Sequence, residues 1–378
     1  MGMIYLDHAA ATPVDARVLE AMEPYFASEF FNPSAAYLPA KRVAAEYEAA
    51  KATIAHAIGA KASDLVITAG ATEANNLAFT AIMSGVLYLE TEHDSVRRVA
   101  EQYGGQAIKV LPNGVIDLAD LKCKLTDEVE LVSVALVNNE LGTIQPLAEV
   151  AQILREVKMD RMRRGVKRQL LLHSDASQAL NLLDINVARL GVDLLTLNAA
   201  KIYGPKGVGA LYVSHEAKLT PLTRGGGQEN GLRSGTENVP GVVGFAKAAE
   251  LAHAHLNGNR KKYRRWREIL LNELQGYELV NKKHALDNFV VISYPGIDAE
   301  RLVFLLEEKN VYVATGAACA ASKGVRSHVL AAIGLTDAQI AGSLRLTLGE
   351  TNTEEQIHEA AKILNETVTK ERGRVLGC

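Results

Sequence analysis

The chain has 378 residues, 48% hydrophobic and 22% charged, with 41 Lys and Arg against 44 Asp and Glu. That length allows about two domains and a core large enough to need no metal or disulfide staple. A formal net charge of −3 gives no electrostatic reason to expect nucleic acid as a direct partner.

The opening stretch, MGMIYLDHAAATPVDARV, has no apolar core of a secretory signal. No apolar run reaches the length of a membrane span. The three cysteines, Cys123, Cys319 and Cys378, are odd in number and widely spaced. That pattern argues against a disulfide framework or a zinc cage and for a reducing, cytoplasmic setting.

The first strand signal is LVIT from residue 65. It runs into AGATEANN, residues 69–76, where Gly70 permits a tight turn. The amides of Ala71 and Thr72 then open a helix, a natural seat for an anion. The plainer alternative is an ordinary strand-to-helix turn capped by Thr72. VLYLE from 86 ends on TEHDS, which leaves His93 at a strand end. There it can stack on an aromatic cofactor and move protons near neutral pH, or be structural.

AIKVL from 107 and LVSVALV from 131 follow, the latter leading to Asn138, Asn139 and Glu140. LAEVAQILREV reads as a helix and continues into REVKMDRMRRGVKRQ, residues 155–169. Six cations lie there: Lys158, Arg161, Arg163, Arg164, Lys167 and Arg168. They form either a docking patch for an acidic partner or a solvated surface helix capped by Gly165; charge runs usually mean the second.

LLLHSDA from 170 ends on Asp175, which either faces a cationic partner in a crevice or caps a helix. DLLTLN from 193 delivers Lys201, in LNAAKIYGPKG, to the end of another apolar run. A lysine so placed can be desolvated into a nucleophilic amine, whereas a lone one more often snorkels to solvent. Lysine and aspartate together match the needs of a pyridinium cofactor. GALYVS from 209 closes this half. Several of these runs are continuously apolar, as in strands buried on both faces. Their alternation with helices predicts an α/β layer fold with a mainly parallel, seven-stranded sheet. Ligands of such sheets sit beyond the carboxyl ends of the strands, where Thr72, His93, Asn139, Asp175 and Lys201 all fall.

A glycine-rich loop, RGGGQENGLRSGTEN, and a long charged helix to about Gln275 come next. NFVVISY, DAERLVFLLEEK, VYVATG, SHVLAAIG, GSLRLTLG and TEEQIHEAAKIL then alternate strand and helix. They predict a small α+β domain. The expected division is a 1–12 segment packing with the small domain, a 13–255 large domain and a 256–378 small domain. Cys319 sits in ATGAACAASKG, a loop of small residues that favours reactivity over packing. Cys123 reads as a helix-face or solvated residue, and Cys378 is terminal.

In order and spacing, YLDHAAATP, NPS, GATEANN, TEH, VNNELG, HSDASQ, KIYGPKGVGALYV, GGGQE, RSGTEN, TGAAC and LRLTLG cover nearly the whole chain. Together they resemble the cysteine desulfurases of the class V aminotransferase family, pyridoxal phosphate enzymes of fold type I. The Cys319 loop is similar to the longer loop of the NifS/IscS-like group. The resemblance implies that Lys201 forms the Schiff base with pyridoxal 5′-phosphate and that Asp175 pairs with the ring nitrogen. It places Gln178 and Asn139 near the ring hydroxyl or substrate, and His93 on the ring as acid/base. Ala71 and Thr72 would hold the phosphate, with Thr236 reaching it from the second subunit of a homodimer. Arg345 would fork onto the substrate carboxylate. Cys319 would take the sulfur of L-cysteine as a persulfide, release alanine, and pass the sulfur to an acceptor: an iron–sulfur scaffold or a tRNA-thiolation enzyme. Alternatives on this scaffold are a selenocysteine lyase or cysteine sulfinate-type activity, or a catalytically weak binding paralogue.

Three departures stand out. The family carries Ser or Thr, any residue, then His before the lysine, and both contact the phosphate; here Asn198 and Ala200 stand there. Asn198 can still donate from its amide, whereas the Ala200 side chain donates nothing. The 155–169 stretch is longer than in the family by roughly three helical turns. The chain also stops at GRVLGC, short of the tail some relatives carry.

Overall fold

The chain's first strand, β1 (Ile4–Tyr5), pairs in parallel with β11 (Val311–Tyr312), more than three hundred residues away. The structure is a computed structural model and describes residues 2–316 and 326–376. Between these two strands the chain builds its main layer from β2 (Leu65–Thr68), β3 (Val86–Leu89), β4 (Gln106–Ile108), β5 (Leu131–Ser133), β6 (Leu171–Asp175), β7 (Leu194–Asn198) and β8 (Gly209–Val213). Their spatial order is β2-β8-β7-β6-β5-β3-β4. The pairs β3–β4, β3–β5, β5–β6 and β6–β7 are parallel. Only β8, between β2 and β7, runs antiparallel to its neighbours.

The continuous apolar runs have the cause expected of them. Every residue of β2, β3, β5 and β6 is buried, because helices cover both faces of the sheet. The edge of the site depends on one close approach. A Cβ at Gly209 would lie 2.8 Å from the Gly70 backbone and 2.7 Å from the Leu197 carbonyl. Glycine therefore lets β8 pass beneath the turn that follows β2.

A single 35-residue helix, Val239–Glu273, leaves this layer and runs through 255–256, where the sequence places the domain boundary. It leads to a second sheet of β9 (Glu278–Leu279), β10 (Phe289–Ser293), β12 (Ala314–Thr315) and β13 (Ser343–Thr347), ordered β12-β13-β10-β9 and all antiparallel. Helix Ala299–Glu307 packs against its β12 edge, and helix Glu354–Leu376 packs on that helix and on Val239–Glu273. The N-terminal segment touches both layers. Thr347 N–H donates to the Leu6 carbonyl at 2.7 Å on one side, and Thr12 N–H to the Ala200 carbonyl at 3.2 Å on the other.

The 155–169 stretch resolves as the surface helix rather than a free basic patch. Helix Leu147–Arg164 ends on Gly165 in the left-handed region (φ 75°). Arg164 pairs with Asp127 and Asp160, Arg168 with Glu128, and Lys158 with Glu216. Arg161 is buried and donates to the carbonyls of Gln169, Thr126 and Val129 at 3.1, 2.6 and 2.9 Å. Most of this charge is thus spent within the chain. Cys123 lies exposed on helix Leu118–Lys124.

Candidate active site

A cavity of about 1070 Å³ opens at the carboxyl ends of β2, β3, β5, β6 and β7. Its wall includes Ala71, Thr72, His93, Asn139, Asp175, Gln178, Asn198, Ala200, Lys201 and Arg345. The sequence's candidates therefore converge, apart from two. Cys319 lies outside the described residues. Thr236 is exposed and is not among the residues of this wall.

The floor is anchored by Asp175, at the last position of β6 and 9% exposed. Its Oδ1 accepts from Ser177 N–H at 2.9 Å, and its Oδ2 accepts from Asn75 Nδ2 at 2.8 Å. The same Asn75 amide donates to Ser95 Oγ at 2.8 Å, and Ser95 Oγ lies 2.9 Å from His93 Nδ1. A polar chain thus joins Asp175 to His93. His93 Nδ1 also accepts from Ser95 N–H at 3.1 Å, so it caps helix Asp94–Gln102. A ring nitrogen that accepts a backbone N–H carries no proton, which places the neutral ring's proton on Nε2.

Lys201 lies in a tight turn just after β7. Its amine donates to the Ala9 carbonyl at 2.8 Å and also to that of Ala10. Gln178 Nε2 shares the Ala9 carbonyl at 2.9 Å. The N-terminal segment is therefore a wall of the site and holds its lysine. Nothing in the local sequence around Lys201 signals this; it comes from a contact spanning 192 residues.

Helix Ala71–Phe79 points its N-terminus into the cavity, with Gly70 as its cap at φ 144°. Thr72 is not the cap residue. The leading amides and the helix dipole suit an anionic group. Asn198 Oδ1 accepts from Ala200 N–H at 3.2 Å, which leaves the Asn198 amide nitrogen as donor. The donor set thus fits a phosphate-bearing, pyridine-type cofactor: an amine, a buried carboxylate, and a helix N-terminus.

Two carboxyl groups on the wall side are set apart by burial. Glu92 is fully enclosed next to β3; burial, and then the neighbouring Asp175 charge, push its pKa up to about 8, against one bond from Ala135 N–H. Glu140 follows Asn139 and is pushed up to about 7, mainly by burial. It accepts a hydrogen bond from Ser327 Oγ at 2.5 Å. His328, beside Ser327, faces the Glu92 carbonyl through Nε2 at 3.0 Å, and burial lowers its pKa. Arg326, Ser327 and His328 also line the cavity, so the smaller sheet's side of the molecule closes onto the larger. Sequence reading took Ser327 and His328 as the start of a short helix and passed over Arg326; the polar triplet before VLAAIG was the available signal.

Arg345 enters from β13, 3% exposed, with Nη1 on the Asn139 carbonyl at 2.8 Å. A cationic fork, an amine and an anion seat in one crevice are the groups a pyridoxal phosphate site needs, and the seven-stranded, mainly parallel sheet is that of the fold type I enzymes. Residues 4–359 match the family model described as aminotransferase class-V, and the chain belongs to that family. It is 36% identical to cysteine desulfurase IscS 1 of Archaeoglobus fulgidus over 96% of each chain. It is also 36% identical to cysteine desulfurase IscS of Methanosarcina thermophila, over 98% of this chain and 93% of that one. Among solved structures, a NifS-like protein superposes with a TM-score of 0.90 at 30% identity, covering 98% of this chain and 100% of the other. A structure described as SspA in complex with cysteine superposes at 0.80 with 31% identity, over 91% and 98%.

Proposed function

We propose that the protein is a pyridoxal phosphate-dependent cysteine desulfurase that converts L-cysteine to L-alanine. The observation that carries this is the convergence of Lys201, Asp175, the Ala71–Phe79 helix N-terminus and Arg345 on one cavity. The relatives named cysteine desulfurase and the neighbour solved with cysteine support the same reading.

In this reading the Ala71 and Thr72 end of the helix and the Asn198 amide hold the cofactor phosphate. Asp175 pairs with the ring nitrogen, and Lys201 supplies the amine that tethers the cofactor. When bound, pyridoxal phosphate supplies an electron sink for bond breaking at the amino acid. Arg345 binds the substrate carboxylate, with Asn139 and Gln178 beside the ring. His93, its Nδ1 held by Ser95, presents Nε2 to move protons. The Cys319 thiol takes the substrate sulfur as a persulfide while alanine leaves, then passes it to an acceptor protein serving iron–sulfur assembly or tRNA thiolation in the cytoplasm.

A homodimer completes the site in this proposal, with Thr236 reaching the partner's phosphate. An apolar surface supports it: Phe26, Phe30, Tyr37 and Leu38 are each more than half exposed. Phe30 stacks on Phe31 with ring centres 4.7 Å apart, and Phe31 meets Tyr37 edge-on at 6.0 Å. Exposed aromatic clusters of this kind mark association surfaces.

The test is turnover of L-cysteine by purified protein, with alanine and sulfide followed together in the presence of a thiol reductant. Equal release of both is expected. Cys319→Ser should bind cofactor normally yet form neither product, and Lys201→Ala should lose any borohydride-trapped cofactor. Alanine formation by Cys319→Ser would overturn the persulfide assignment.

A further inference from the structure

Arg345 is the cation the proposed reaction needs, and the fold has already given it a counter-ion. Its Nη2 donates to Asp7 Oδ1 at 2.7 Å, its Nη1 to the Asn139 carbonyl at 2.8 Å, and its buried Nε finds no partner among the described residues. Arg345 lines the cavity; Asp7 does not. Asp7 instead belongs to the N-terminal segment and is bridged to Thr347, two residues beyond Arg345 on β13. Tyr5 O–H donates to the Asp7 carbonyl at 2.9 Å, which fixes the backbone. Carboxylate and guanidinium thus sit on one rigid unit, 19% and 4% exposed at their side chains. Glu140 is a further carboxyl within electrostatic reach of Arg345.

We propose that Asp7 is a positioning residue for Arg345 that also sets how tightly the site holds an α-carboxylate. This rests on the reading of Arg345 as the carboxylate-binding group. The physical case has two parts. A buried guanidinium with no counter-ion grips an incoming carboxylate strongly, and a grip shared by substrate and product adds nothing to the chemical step. L-Cysteine and L-alanine carry the same carboxylate, so an undamped Arg345 would retain product. Asp7 occupies one arm of the fork, orients the guanidinium, and removes most of its net charge while leaving it in the cavity wall.

The test is Asp7→Asn in the cofactor-loaded enzyme. Asparagine keeps an acceptor oxygen for Nη2 and removes the charge, so orientation and electrostatics separate. The KM for L-cysteine and the inhibition constant of L-alanine should each fall about tenfold, a discounted effect for a partly exposed charge. The inhibition constant of L-alaninamide, which lacks the carboxylate charge, should not change. An unchanged or raised constant for L-alanine overturns the proposal. Should Asp7→Asn not fold, as judged by thermal unfolding, Asp7→Ser carries the same expectation. Arg345→Gln separates the two levels of inference: it should abolish the preference for L-alanine over L-alaninamide. If that preference persists, another group holds the carboxylate, and it is the reading of Arg345 that has failed.

Discussion

Ala200 stands where the family resemblance implies a histidine. It lines the cavity, its N–H is taken by Asn198, and its carbonyl is taken by Thr12. A charge-assisted bond to a phosphate is worth roughly 1.5–3 kcal/mol. Restoring the family residue, Ala200→His, should therefore tighten pyridoxal phosphate binding by about tenfold or more. Absorbance titration of cofactor-stripped protein measures this. Equal or weaker binding would mean that the Asn198 amide and the Gly70–Thr72 turn already satisfy the phosphate. Glu92 gives a second expectation at this scale, through pH. Its folded pKa, about 8, lies above the ordinary carboxylate value. The protonated form is therefore the stabilising one. Its contribution is complete below the unfolded value and is lost as pH rises through about 8. In cofactor-stripped protein, Glu92→Gln should be less sensitive to alkali between pH 5 and 9 than wild type. The difference is up to about 1.4 kcal/mol per pH unit where one proton is at stake. Parallel slopes in urea unfolding would show that Glu92 is ionised in the folded state.

At the scale of an element, the end of helix Leu147–Arg164 distinguishes a staple from a patch. Arg161 serves three carbonyls, of Gln169, Thr126 and Val129, from a buried position. Arg161→Met should remove the side-chain donor from all three, leaving Thr126 only its bond from Val129 N–H, and cost about 3 kcal/mol in urea unfolding. The neighbouring Arg163, exposed on the same helix, should tolerate alanine within about 0.5 kcal/mol. Equal costs would mean that the helix end is held by its cap rather than by Arg161. The sequence showed the charges and the Gly165 cap. It could not show which of six similar cations turns inward, because that depends on where the 126–129 loop packs.

For the whole molecule, the exposed aromatic surface at Phe26, Phe30, Tyr37 and Leu38 sets the expectation. Phe30→Asp should shift the protein toward monomer in sedimentation at micromolar concentration. If Thr236 serves the partner's site, cofactor affinity should fall with the loss of the dimer. A mutant that remains dimeric would place the interface elsewhere.

The sequence by itself determined the strand order along the chain, the mainly parallel layer and the crevice residues at its carboxyl edge. These follow from local signals: continuous apolar runs, a glycine turn before a helix, and polar residues at the strand ends. Ala71, Thr72, His93, Asn139, Asp175 and Lys201 were legible for that reason, whereas Gln178, Asn198 and Arg345 were singled out only through the family resemblance; the structure brings all nine to one cavity. Only the tertiary structure decided what holds them. The Ala9 carbonyl holds Lys201 across 192 residues, Asp7 meets Arg345 across 338, and Ser327 reaches Glu140 across 187. No periodicity or spacing encodes such pairs. The first two exist because the N-terminal segment threads between two sheets, the third because the His328–Ala332 helix start packs against the 138–141 turn, and each partner becomes a neighbour only in the folded chain.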